Sequence, residues 1–311
     1  MIALRLLTVL AFVVLASCAR DEQREDASTT RGGPGDTPNS VYVVNEPLRY
    51  FAARIGGEHV DVVFPTPNDI DPAHWSPPAE TVAAYQQATL ILLNGAGYAR
   101  WLGYASFPRT TLVDTSASFG DRLIPLTGTL THTHGPDGAH AHTGFASTTW
   151  LDPQLAMEQA RAVADALAAI TPEHEPGIRL RFDALAADLQ ALDARLVAAV
   201  DRLGPQPVVF SHPVYQYFAR RYGLDGRAVH WEPDEVPSPA MWRAFAEQQD
   251  AHPARWMIWE GAPLVAVAER LEALGVRTVV YEPGANTSAD ADFLGVMRQN
   301  VERLEASWSN R

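Results

Sequence analysis

Residues 131–142 read Thr-His-Thr-His-Gly-Pro-Asp-Gly-Ala-His-Ala-His and hold four of the ten histidines of the chain. His132, His134, His140 and His142 thus sit in a segment too polar, and too broken by Gly135, Pro136 and Gly138, to form core. Alternating neutral imidazoles in a soft loop suit a borderline divalent metal without fixing one geometry. That pattern favours capture over catalysis, against the plain alternative of a solvated low-complexity loop. Closing a tetrahedral shell there costs ordering entropy, so such sites should be weaker than a preformed one.

A second set of residues has the chemistry for a preformed site. His74 lies in Phe64-Pro-Thr-Pro-Asn-Asp-Ile-Asp-Pro-Ala-His74-Trp, and His212 in Phe210-Ser-His-Pro. Glu232, Glu260 and Glu282 follow Trp231, Trp259 and Tyr281 directly. Each follows a short apolar, β-rich run within a few residues. Two imidazoles with one or two carboxylates make a usual first shell for Zn2+ or Mn2+. A carboxylate at a strand end can equally accept from a helix N-terminus, which is the structural alternative for Glu260 and Glu282.

The elements that must position these groups alternate in type. Strands are expected at 41–44, 60–64, 89–93 and 111–113, separated by helices such as 48–55 and 79–87. The second half repeats the scheme, with strands at 207–210, 228–231, 256–259 and 277–281 and helices near 215–221, 240–249, 265–274 and 292–306. Such alternation implies βα units and parallel sheets, whose ligands bind beyond the carboxyl ends of the strands. Residues 178–203 carry Leu, Ala and Val on a helical period and stop at Gly204-Pro205. The expected fold is α/β, two lobes each with a parallel sheet flanked by helices, joined by one long rigid helix.

The remainder of the chain bounds its setting. Residues 1–17 have one positive residue, Arg5, an apolar run over 6–16, and then Leu15-Ala-Ser-Cys18. This is the pattern of a signal peptide ending at a lipidation site, and the run is shorter than the ~20 residues of a membrane span. Cys18 is the only cysteine, which excludes a disulfide framework and a thiolate metal site. Residues 18–40 are polar and read as a disordered tether after the lipidated Cys18. The domains expected beyond it are an N-terminal lobe over 41–170 with the His-rich loop 131–143, a linking helix over 171–204, and a C-terminal lobe over 205–311. A net charge of −13 argues against nucleic acid and anionic lipid as partners and mildly favours cations.

With these residues in view, the chain resembles the zinc- and manganese-specific substrate-binding lipoproteins of ABC transporters. The resemblance runs from about residue 41 to the C-terminus. It rests on Pro47-Leu-Arg-Tyr-Phe-Ala-Ala-Arg-Ile-Gly-Gly, Asp71-Pro-Ala-His74, Leu92-Leu-Asn-Gly-Ala-Gly, Trp150-Leu-Asp-Pro, Ser211-His212 with Ala219-Arg-Arg-Tyr-Gly-Leu, and the acid before Pro283. It implies a metal held between two lobes and a His-rich loop in the first. It also implies Zn2+ or Mn2+ as cargo, an ABC permease and ATPase as partners, and a monomer exported and lipid-anchored to a bacterial membrane.

Carried over by residue, the resemblance makes His74 the first ligand, His212 the third, and Glu282 the fourth in place of the usual aspartate. The implied second ligand, a histidine two residues before Trp150, is Thr148 here, a poor ligand for these metals. Either three protein ligands and water complete the site, or another group moves in, with Glu260, Glu232, His140 and His142 as candidates. His59, His174, His230 and His252 carry no comparable motif and are expected in surface or packing roles. Trp75, Trp150, Trp231 and Trp259 flank the site loops, as a dry packed shell or as an aromatic wall for a metal chelate or small organic ligand. No nucleophile elbow, HExxH helix, phosphate loop or GxGxxG appears. An enzyme is therefore not expected, and the residual catalytic reading is a secreted zinc hydrolase with Glu260 as base.

Overall fold

The computed structural model describes residues 39–126, 131–133, 139–141 and 144–309. The leader, Cys18, His134 and His142 lie outside the described residues, as does all of the tether before Asn39. The first sheet is built from β1 (Asn39–Val43), β2 (Val60–Val63), β3 (Leu90–Leu93) and β4 (Leu112–Asp114), all parallel in the order β2-β1-β3-β4. The second contains β7 (Val208–Phe210), β8 (Gly226–Ala228), β9 (Trp256–Trp259) and β10 (Arg277–Val280), all parallel in the order β10-β9-β7-β8. Between them in sequence, β5 (Thr131–Thr133) and β6 (Ala139–Ala141) form an antiparallel pair in which His132 is the register partner of His140. The two-lobed α/β fold with parallel sheets is thus observed.

Helices cover the sheets. α1 (Glu46–Gly56) starts where the Asn45 side chain accepts from the Leu48 N–H at 3.1 Å, with Pro47 in its first turn. α2 (Ala79–Gln86) links β2 to β3. α4 (Glu175–Leu203) has 29 residues, about 44 Å at 1.5 Å each. Its buried stripe is Ile178, Phe182, Leu185, Leu189, Leu192, Leu196, Ala199 and Leu203, the spacing of one helical face. That stripe belongs to a core cluster drawing on both sheets, so the helix ties the lobes together through apolar packing. α5 (Gln216–Tyr222), α6 (Pro239–Ala251), α7 (Val265–Ala273) and α8 (Phe293–Ser309) complete the second lobe.

Three differences from expectation matter. The 18-residue α3 (Pro153–Ile170) is an additional helix, capped by the Asp152 carboxylate on the Gln154 N–H at 2.9 Å. Its buried face mixes Leu155, Val163 and Leu167 with Ala156, Ala160, Ala164 and Ala168. β1 begins at Asn39 rather than Val41. β8 ends at Ala228, and residues 229–231 continue beside β7 without forming strand: Val229 N–H donates to Phe210 O and Trp231 N–H to Ser211 O.

A buried polar network fixes the segment containing Thr148. The Gln159 amide donates to Asn94 Oδ1 at 3.2 Å and Thr115 Oγ1 at 3.0 Å, and accepts from Thr149 Oγ1 at 3.1 Å. The Asn94 amide donates to Ser147 O at 2.8 Å. Asn94 opens a turn in which Gly95 has φ 76°, and a Cβ there would lie 1.9 Å from Ser116 Oγ. Gln159→Leu would leave several buried groups unsatisfied, and should cost about 3 kcal/mol in urea unfolding of the metal-free protein.

Candidate metal centre

The carboxyl ends of β7 and β9 carry the centre. The register pairs Phe210 with Ile258, and the Ser211 N–H donates to Ile258 O at 2.9 Å, so two residues further on His212 stands opposite Glu260. Adjacent positions in a parallel ladder share a face, which is why these two side chains meet. Glu232 joins them from the segment after β8. The ligand atoms of His212, Glu232 and Glu260 all lie within 4.8 Å of one another. His212 Nδ1 is 3.7 Å from Glu232 Oε1 and 3.6 Å from Glu260 Oε1.

Burial makes this group reactive toward cations. The side chains of His212, Glu260 and Glu232 are 11%, 22% and 31% exposed. Burial pushes the Glu260 carboxyl up to about 8, and the neighbouring charges of Glu232 and Asp71 push it the same way. Two carboxylates and an imidazole in a poorly hydrated pocket want either a proton or a cation between them. The donor set of one nitrogen and several oxygens suits a first-row divalent metal.

The first lobe contributes the turn 71–74. His74 N–H donates to Asp71 O at 3.1 Å, and Asp71 Oδ1 accepts from Ala73 N–H at 2.9 Å. His74 is 39% exposed, with Nε2 3.9 Å from Asp71 Oδ2, and stands outside the trio. Its loop is held to the second lobe by the Asn286 amide, which donates to Pro67 O and Ile70 O, both at 2.7 Å. The Asp71 charge also pushes the Glu260 carboxyl up.

The structure does not bring Glu282 into the trio. Tyr281, not Glu282, follows the last register pair, Val280 with Trp259, and its N–H donates to Trp259 O at 2.7 Å. Tyr281 therefore stands opposite Glu260, and Glu282 falls one residue out of line, a shift that reverses the face. Its carboxylate instead accepts from Arg303 of α8 at 2.7 Å, while Asn300 binds its backbone N–H at 2.9 Å and its carbonyl at 2.7 Å.

Other expectations resolve residue by residue. The Thr148 hydroxyl donates to the Val214 carbonyl, a tie between the lobes. Only the backbones of His132 and His140 are described. His252 is buried with Nε2 3.0 Å from Val208 O, a packing role, and His59 stacks on His174 with centroids 3.6 Å apart. The His230 ring meets that of His212 edge-on, with centroids 5.5 Å apart. Trp75, Trp150, Trp231 and Trp259 are all buried. Trp231 packs on Trp242 and Trp259, and the Trp150 indole donates to Pro283 O at 2.7 Å. They form packed shell and inter-lobe ties, not an exposed aromatic wall.

Among the described residues no helix is long and apolar enough to cross a membrane. The family model for the periplasmic zinc-uptake complex component A, ZnuA, matches residues 41–307. The zinc-binding lipoprotein AdcA of Streptococcus pneumoniae is 24% identical over 96% of this chain, and the match spans 60% of that relative's length. Among solved structures, the Zn(II)-bound ZnuA-like domain of S. pneumoniae AdcA superposes with a TM-score of 0.73 at 20% identity, covering 88% of this chain and 100% of that one. The Pseudomonas aeruginosa substrate-binding protein FpvC in complex with Mn2+ gives 0.66 at 20% identity, over 88% and 97%. These structural likenesses establish the shared fold.

Proposed function

Since the chain belongs to the family of periplasmic component A proteins of zinc-uptake complexes, we propose that it captures Zn2+ outside the cytoplasm and hands it to an ABC permease and its ATPase. The observation that carries this reading is the trio His212, Glu232 and Glu260, with ligand atoms within 4.8 Å and Glu260 raised to about 8 by burial and by the charges of Glu232 and Asp71. His74 approaches from the first lobe as a further ligand. Imidazole nitrogen favours zinc over manganese on softness and on the Irving–Williams order. Relatives solved with Zn(II) and with Mn2+ support a first-row divalent cargo. The proposal includes a leader over 1–17, lipid on Cys18 as membrane anchor, a tether up to the first strand, and a monomeric chain, in keeping with a relative named a lipoprotein.

The alternative readings lose ground on particular residues. A chelate site needed an exposed aromatic wall, and the four tryptophans are buried. A hydrolase needed Glu260 as a free base, and Glu260 lies inside the trio. The segment 131–142 acts in this proposal as a weaker loading arm.

Titration of the chain with Zn2+ and Mn2+ against competing chelators tests the reading. One tight site is expected, with a Zn2+ dissociation constant below about 1 μM and weaker Mn2+ binding. Deleting 131–142 should remove weak sites and leave the tight one nearly unchanged. Absence of a sub-micromolar site for every first-row divalent metal overturns the proposal. Loss of the tight site on deletion would move the loop into the first shell.

A further inference from the structure

The trio offers only one nitrogen, and the position where the family resemblance implies another imidazole is held by Thr148, whose hydroxyl is committed to the Val214 carbonyl. An imidazole does stand beside His212, however, on the strand end next to it. Val229 N–H donates to Phe210 O at 2.9 Å and Trp231 N–H to Ser211 O at 2.8 Å, so the segment after β8 runs alongside the end of β7. Trp231 is buried against Trp242, Phe245 and Trp259. Two residues flank it in the chain. Those residues are His230 and Glu232. Glu232 is already in the trio, and the His230 ring lies edge-on to His212 at 5.5 Å.

We propose that His230 is an imidazole ligand of the same metal, supplying the nitrogen that Thr148 does not. The second lobe then presents His212, His230, Glu232 and Glu260, two imidazoles and two carboxylates, before His74 contributes. The assignment rests on the metal-capture reading above and adds to it the residue that sets metal preference. With His230 the set is balanced between nitrogen and oxygen and suits Zn2+. Without it the second lobe offers one imidazole to two carboxylates, and the site's preference for Zn2+ over Mn2+ narrows. Glu232 and His230 share one short anchored segment, so Trp231 packing positions both ligands together.

The test uses the full chain with H230Q and H230A, and H212A for comparison. Zn2+ and Mn2+ affinities are measured by chelator competition, and the imidazoles around bound Zn2+ are counted by X-ray absorption at the zinc edge. H230Q should weaken Zn2+ binding by about 10- to 100-fold and Mn2+ binding much less, with one imidazole fewer around zinc. H230Q keeps a polar side chain of similar reach, so it remains informative if H230A fails to fold. Wild-type zinc affinity and imidazole count in H230Q, with both reduced in H212A, overturn the assignment while the capture reading stands. A wild-type chain with no tight site overturns the capture reading and the assignment with it.

Discussion

Replacing His212 with alanine should weaken Zn2+ binding by about a hundredfold to a thousandfold and leave the metal-free fold nearly intact. A structural zinc site contributes roughly 10–16 kcal/mol, so one of about four ligands carries about 3 kcal/mol, or a little over two powers of ten. His212 touches both other members of the trio, at 3.6 Å and 3.7 Å, so its loss also leaves Glu232 and Glu260 without the imidazole between them. It stands beyond the last residue of β7 rather than within the strand, so little apolar packing depends on it. Glu282→Gln provides the contrast. Its carboxylate is paired with Arg303, so the variant should change zinc affinity by less than about tenfold. Chelator competition on both variants, with melting of the metal-free proteins as control, reads this out. Equal losses from the two substitutions would place Glu282 in the shell and refute the register argument.

That contrast also shows what the residues revealed by themselves. The alternation of β-rich runs and helical periods was sufficient to place His212, Glu232, Glu260 and Glu282 at strand ends, because parallel sheets gather those ends at one edge. Which of them share a face depends on register, and register is decided by pairing between strands far apart in sequence. Glu260 lines up with His212 through the β7–β9 ladder, while Tyr281 takes the position that Glu282 would need. The contact of His230 with His212 was hidden for a related reason. His230 follows a strand whose pairing with β7 loosens after Ala228, and its tie is the Trp231 N–H on Ser211 O. Thr148 was legible as a departure, but its use as a tie to Val214 needed the second lobe in place.

The pH dependence of binding should carry the signature of Glu260. Its carboxyl is raised to about 8 by burial first and by Glu232 and Asp71 after that, with the His212 imidazole 3.6 Å away on the same face. At pH 7 the metal-free protein therefore holds a proton on Glu260 most of the time, and Zn2+ must displace it. Apparent zinc affinity should rise by up to about tenfold per pH unit from this group between pH 6 and 8, then level off. The stability of the metal-free chain runs the opposite way. A carboxyl raised in the folded state stabilises it fully below its unfolded value of about 4.5, and that contribution is lost as pH rises through about 8. The metal-free protein should thus melt lower at pH 8.5 than at pH 6, and bound zinc should remove that difference by taking the proton's place. Glu260→Gln, although weaker in binding, should release about one proton fewer on zinc uptake in calorimetry across buffers of different ionisation enthalpy. It should also flatten the melting profile. Wild-type proton release in that variant would show that the displaced proton comes from elsewhere in the centre.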